Sequence, residues 1–244
     1  SKNKQSDYFF LLTTLILLGV GLIMIFSTSC VVGLYNYNDS YFFIKRHFMH
    51  LFLGLIFLGF GYVYPYKKYE KFALPGVLIS VFLLLLTYVP GLAMTAGGAT
   101  RWIDLGFFSF QPSEMVKFFV IIFVAFAAKN KKETIKDFFM GLLPILSVVG
   151  VIAVLVLKQP SLGSTVVIVS TAFAILFVSG ASLWQLIILT LVAFRLVAYL
   201  VTRTPYQMRR FLAFLDPWKN KLDIGFQTVQ SLLAIGSGGL LGLG

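Results

Sequence analysis

The chain alternates long oily runs with short polar joints. Apolar residues dominate at about positions 9–32, 47–64, 72–90, 113–128, 139–157, 164–180 and 183–201. Each run is near the length of helix that crosses a hydrocarbon core of ~30 Å, so the pattern predicts seven membrane-spanning helices. The fourth and sixth are short for a full crossing, which leaves their ends or tilts open by several residues. The expected fold class is all-α, a polytopic integral membrane helix bundle.

Composition removes the soluble alternative. Hydrophobic residues make up 59% of the 244 positions, and 26 Phe stand against 9 acidic residues; mean hydropathy is +0.91. A soluble domain could not cover so much apolar surface with so few charges. The net charge of +11 sits mostly in the joints, which suits anionic headgroups or an anionic lipid substrate. No contiguous basic face with interleaved aromatics lies outside the apolar runs, which argues against nucleic acid as a partner. Cys30 has no partner for a disulfide, and His47 and His50 read as a helix-entry pair, so no structural zinc is expected. The polar tail at 1–7 leads into an apolar stretch too long for a signal-peptide core, so the first span is expected to be retained.

Orientation follows from the short joints. Lys2, Lys4, Lys67, Lys68, Lys71, Lys129, Lys131, Lys132 and Lys136 fall on one side. Lys45, Arg46, Arg101 and Lys158 fall on the other, together with Arg203, Arg209, Arg210, Lys219 and Lys221 in the long last segment. That segment weighs less in the positive-inside rule, so the N-terminus is expected in the cytoplasm.

Three polar elements then meet the extracytoplasmic face: residues 91–117, the corner from Lys158 to Gly163, and the segment from Arg203 onward. In the first, Arg101-Trp102 precedes Gln111-Pro112-Ser113-Glu114 and Lys117. A span that opens with a carboxylate and an ammonium has a use for them beyond anchoring. Gly97-Gly98 gives this loop backbone freedom, and Trp102, Phe107, Phe108 and Phe110 suit the headgroup level, so a loop that is re-entrant or packed on the bundle is expected. Pro160 is expected to stop the fifth span and Gly163 to turn the chain into the sixth, delivering Lys158 and Gln159 to the outer boundary. That corner reads equally as structural or as binding. Arg195, inside the seventh span, reads as snorkelling outward or facing a cavity. Arg209 and Arg210 suit phosphate oxygens, or anchor the chain to headgroups. The glycines from Gly236 to Gly244 lack the Lys-Ser/Thr of a nucleotide loop and read as packing or turn residues.

These residues carry a resemblance. Arg101-Trp102-Ile103, Gln111-Pro112-Ser113-Glu114, Lys117, Gln159-Pro160, Arg209-Arg210, Asp216-Pro217-Trp218, Gly225-Phe226-Gln227 and the run from Gln230 to Gly239 resemble, in order and spacing, the SEDS family of shape, elongation, division and sporulation proteins. The terminal motifs look nearer the FtsW/SpoVE branch than the RodA branch. The resemblance implies a peptidoglycan glycosyltransferase that polymerises lipid II at the outer face of the bacterial cytoplasmic membrane. It implies a class B penicillin-binding protein and other division or sporulation membrane proteins as partners. Residues 1–244 would form one transmembrane domain, with 202–244 beginning a large extracytoplasmic loop. Family members have about ten spans of bilayer-crossing length, and their catalytic carboxylate sits in a His-Thr-Asp-Phe motif downstream of the Gly-Ser-Gly-Gly run. Seven spans and part of the site are therefore expected here, with the catalytic group beyond Gly244. Two positions depart from the family pattern: Ser161 stands where an Asp follows Gln-Pro, and Ser164 where a Thr follows the glycine.

Glycosyl transfer from a lipid diphosphate needs a base for the attacking hydroxyl and charge stabilisation for the leaving group. Arg101, Lys117, Arg209 and Arg210 fit the second task, with Arg101 and one or both of Arg209 and Arg210 on the diphosphate oxygens. Gln111, Lys158 and Gln159 join them as binding or site-structural candidates. Glu114 either directs Lys117 or forms a buried structural pair with it. Asp104 and Asp216 are extracytoplasmic carboxylates, but the resemblance places the catalytic one beyond Gly244. No cofactor is certain, and a divalent cation could share the diphosphate charge. A lipid-linked precursor flippase and a noncatalytic divisome scaffold are the alternatives.

Overall fold

The structure, a computed structural model, describes residues 8–89, 93–96, 99–104, 109–159, 161–203, 205–239 and 242. The tail at 1–7, Gly97, Gly98, Phe107, Phe108 and Pro160 therefore lie outside the described residues, as do the side chains of Asp104 and Arg210.

A helix stands at each of the seven apolar runs: α1 (Tyr8–Tyr37), α2 (Phe42–Val63), α3 (Ala73–Leu86, entered through a 3-10 turn at Tyr66–Phe72), α4 (Pro112–Asn130), α5 (Leu143–Lys158, entered through a π turn at Phe138–Leu142), α6 (Leu162–Val178) and α7 (Leu183–Arg203). Five of these, with their entering turns, are long and apolar enough to cross a membrane. The exceptions have physical reasons. The chain of α4 carries Glu114, Lys117 and Lys129, and α6 has 17 residues, about 25 Å of helix. Beyond α7 come α8 (Pro205–Leu215) and α9 (Phe226–Gly238). Gly239 adopts φ +54° directly after α9, the left-handed conformation that lets glycine terminate a helix.

The chain forms two compact units. One holds α1, α2 and the end of α9. Its α1–α2 turn is built from Tyr37 stacked on Phe42 at 3.8 Å and Asn38 at φ +56°, a conformation that Asn tolerates better than most side chains. Lys45 Nζ lies 2.8 Å from Asp39 Oδ2, and this bond, with the Tyr41 amide, holds the Asp39 carboxyl below its usual range.

The other unit, Tyr66–Val229, contains the core. Each helix gives it a stripe at helical spacing: Val77 and Leu84 from α3, Val116, Val120 and Val124 from α4, Ile145, Val149, Ile152 and Val156 from α5, and Ile168, Ala172 and Leu176 from α6. Without a solvent-driven hydrophobic effect between helices in lipid, close packing matters, and small residues permit it. Gly76 is such a position, because a Cβ there would overlap the Phe119 ring on α4. Gly76→Ala is expected to cost about 1–3 kcal/mol through forced repacking. Gly163, by contrast, lies inside the first turn of α6 with nothing nearby. It makes no turn between spans, and Gly163→Ala is expected to be neutral or to stabilise by about 0.5 kcal/mol. Thermal unfolding of the two variants in detergent checks the contrast.

Between α3 and α4 the chain forms an antiparallel sheet of β1 (Ala93–Ala96), β2 (Ala99–Asp104) and β3 (Ser109–Phe110), in the order β1-β2-β3. Met94 pairs with Trp102, and Ile103 pairs with Phe110. This small sheet is the feature of the fold that the hydropathy pattern does not announce. The loop was expected to be re-entrant or packed on the bundle; β2 contacts α4, with Ile103 buried.

Candidate functional site

Four helix termini meet at one end of the larger unit. Hydrogen bonds identify them: Tyr88 Oη, just past α3, donates to Leu155 O near the end of α5 at 2.5 Å, and Gln159 Nε2, just past α5, donates to Thr87 Oγ1 at 2.6 Å. The starts of α4 and α6 complete this end. Partial burial pushes the Tyr88 phenol above its usual value.

Strand β2 delivers Arg101 to that end. Side chains alternate across a strand, so Arg101 shares a face with buried Ile103, while Trp102 points the other way. Arg101 Nε donates to Gln159 O at 3.1 Å across 58 residues of sequence. Gln159 is fully buried. Its side chain binds Thr87, so of the two readings of the corner the geometry at this residue favours the structural one.

The start of α4 supplies the next group. Pro112 occupies the first turn, where its missing N–H costs nothing. Gln111 precedes it and its Nε2 donates to Ser113 Oγ at 2.9 Å. Glu114 stands in the first turn, where the helix dipole favours a carboxylate. Lys117 Nζ lies 2.8 Å from Glu114 Oε2, with side chains 29% and 57% exposed. The reading of this pair as buried and structural does not hold within the described residues. Glu114 continues into the exposed stripe of Phe118 and Ile121, so the ion pair tops an otherwise apolar face.

Lys158 closes α5 as an exposed cation in the last turn, again favoured by the dipole. At the start of α6, Ser161 Oγ donates to Ser164 Oγ at 3.0 Å. The two positions that depart from the family pattern therefore satisfy each other. Arg209 is exposed on α8, and Asp216 is exposed immediately after it, without capping the following turn through its side chain. No described hydrogen bond joins either to Arg101, Glu114 or Lys117; α8 packs chiefly on α7. Arg195 is exposed midway along α7.

Thr87 and Tyr88 are parts of this end that motif reading passed over. The only sequence signal was a hydroxyl pair, Thr87-Tyr88, at the exit of a run of leucines. A separate groove of about 360 Å³ between α6 and α7, lined by Phe173, Phe177, Leu183, Leu186 and Ile187, is almost wholly apolar. Its Thr190 hydroxyl already donates to Leu186 O, so the polar end is the candidate site. Among the described residues no three His, Cys, Asp or Glu side chains come together as metal ligands, and no step is assigned to a cation.

The family model described as "Cell cycle protein", covering FtsW, RodA and SpoVE, matches residues 8–244. The chain belongs to the FtsW/RodA/SpoVE family. It is 37% identical over 238 residues to the "Probable peptidoglycan glycosyltransferase FtsW" of Geobacter sp. (strain M18), covering 98% of this chain and 65% of that protein. It is 36% identical to "Stage V sporulation protein E" of Bacillus subtilis (strain 168), covering 100% of this chain and 67% of that protein. A chain in the solved structure described as "Structural coordination of polymerization and crosslinking by a peptidoglycan synthase complex" superposes with a TM-score of 0.64 at 30% identity, over 90% of this chain and 66% of its own length. RodA of Thermus thermophilus shares the fold at a TM-score of 0.50 and 23% identity, over 72% of this chain and 58% of its own. The chain thus spans about two thirds of the FtsW and SpoVE relatives. With five helices able to cross a bilayer, it is a multi-pass membrane segment of this family.

Proposed function

We propose that the protein carrying this chain polymerises lipid II into glycan strands at the outer face of the bacterial cytoplasmic membrane, for division or sporulation. The observation that carries this reading is the gathering of Arg101, Glu114, Lys117, Lys158 and Gln159 at one end of the helices. The opposite end is lysine-rich: Lys129 on α4 pairs with Glu70 before α3 at 2.6 Å, and Lys67, Lys68, Lys71, Lys131, Lys132 and Lys136 flank that contact in sequence. The positive-inside rule assigns the lysine-rich end to the cytoplasm, which puts the Arg101 end outside and the N-terminus inside. Relatives named as peptidoglycan glycosyltransferases support the reaction class.

In this reading Arg101 and Lys117 offset the diphosphate charge as the glycosyl bond breaks, Glu114 directs Lys117, and Lys158 adds to the local field. One or both of Arg209 and Arg210 contact the same headgroup, with Gln111 and Asp216 as site-structural groups. The family resemblance assigns the base to a downstream carboxylate. A class B penicillin-binding protein is the proposed partner, with other division or sporulation membrane proteins around it.

Orientation has its own test. In a cysteine-free background of the full protein, Cys30→Ser included, Lys158→Cys is expected to react with a membrane-impermeant maleimide in intact cells, and Lys132→Cys only after the membrane is opened. The opposite pattern overturns the outer-face placement. Polymerisation is tested by the measurement that closes the Discussion.

A further inference from the structure

We propose that Thr87 is a positioning residue for Arg101, acting through Gln159. This rests on the reading of Arg101 as a diphosphate contact. A directed chain of hydrogen bonds connects them. The Thr87 hydroxyl donates to Leu84 O at 2.7 Å. Because that proton is committed, Thr87 Oγ1 can only accept from Gln159, and it does so from Nε2 at 2.6 Å. The hydroxyl thereby sets which way the Gln159 amide faces. Gln159 O then accepts from Arg101 Nε at 3.1 Å.

Two features make this chain depend on Thr87. Thr87 and Gln159 are 1% and 0% exposed, so water does not readily replace a lost bond. Among the described residues Gln159 Oε1 also has no hydrogen-bond partner, so the Thr87 bond is the polar anchor that they give that side chain. A buried amide with neither end satisfied is costly and moves toward water. Gln159 sits at the last residue beside α5, so such a movement carries its carbonyl, and with it Arg101, away from the present corner.

The experiment measures steady-state polymerisation with lipid II as substrate, using the purified full protein in membranes with its partner. Thr87→Val keeps the shape and removes the hydroxyl. It is expected to raise KM about tenfold with kcat little changed, the size of effect of one net hydrogen bond, while Thr87→Ser restores the wild-type KM. A merely structural role would lower the active fraction, and so apparent kcat, without moving KM. Arg101→Ala supplies the background that separates the two claims. There, Thr87→Val is expected to add no further rise in KM, as residues acting in series do not add. An unchanged KM in Thr87→Val, or an equal rise in both backgrounds, overturns the positioning role while the Arg101 reading stands. An Arg101→Ala protein with wild-type KM and kcat overturns that reading and this inference together. Should Thr87→Val fail to accumulate, Gln159→Met breaks the same chain from its other side, and the same KM rise and the same non-additivity with Arg101→Ala are required of it.

Discussion

Arg101→Ala is expected to lower kcat/KM for polymerisation by about 10²- to 10³-fold, with KM raised as well as kcat lowered, because in the proposed site the guanidinium holds the diphosphate both in the bound substrate and as transition-state charge develops on it. Three observations motivate the size. The residue lies on a strand tethered to the helix bundle by buried Ile103, its Nε is fixed on Gln159 O, and it stands at the end shared with Glu114 and Lys117. Such a group is already in place when charge develops on the leaving diphosphate. Arg101→Lys keeps the charge and loses the guanidinium geometry, so partial recovery is expected. Rates normalised to folded, membrane-inserted protein provide the check. Wild-type rates in the alanine variant would remove Arg101 from the site.

Glu114→Gln is expected to reduce polymerisation by about 10²-fold through loss of Lys117 direction, since a misplacement of ~1 Å has that effect. Its cost in stability should be small. The pair is an i,i+3 contact with Glu114 57% exposed, and exposed helix pairs of this kind contribute about 0.2–0.5 kcal/mol. The combination of lost activity and retained folding is the distinguishing result. Exchange of the two charges, Glu114→Lys with Lys117→Glu, tests the same point from another direction. It should preserve the contact while placing a carboxylate where an ammonium acted, so activity should stay low. If Glu114→Gln instead removes folded protein, the pair holds the bundle together and the site assignment fails.

The helices were legible because each apolar run is long and its joints carry lysine, glycine or proline. Their ends were less so. Positions 33–37 extend α1 past the expected stop despite Gly33 and Asn36, and the helix ends where Asn38 takes its left-handed conformation. Lys45 and Arg46 fall inside α2, where Lys45 can turn back to Asp39. Packing faces were not legible. Val116, Val120 and Val124 are buried while Phe118 and Ile121 are exposed on the same helix, and hydropathy cannot separate them, because in a bilayer the outer face is as apolar as the core.

The candidate site divides along the same line. Glu114 and Lys117 are neighbours on one helix, so spacing alone predicted their contact. Arg101 and Gln159 were both singled out, but their bond depends on how β2 folds back to the end of α5. Thr87 went unread because one hydroxyl at the end of a leucine run has no meaning until Gln159 is placed beside it. Arg209 and Asp216 were grouped with the others by charge and side of the membrane. The structure instead seats α8 chiefly on α7.

The most direct measurement is formation of glycan product from lipid II by the full protein, reconstituted with a class B penicillin-binding protein whose own crosslinking is blocked. Long glycan strands from the wild type, and their loss in Arg101→Ala with folding intact, are the predicted result. Lipid II that crosses the membrane or merely binds without forming polymer, or strands that form equally well without Arg101, would contradict the account.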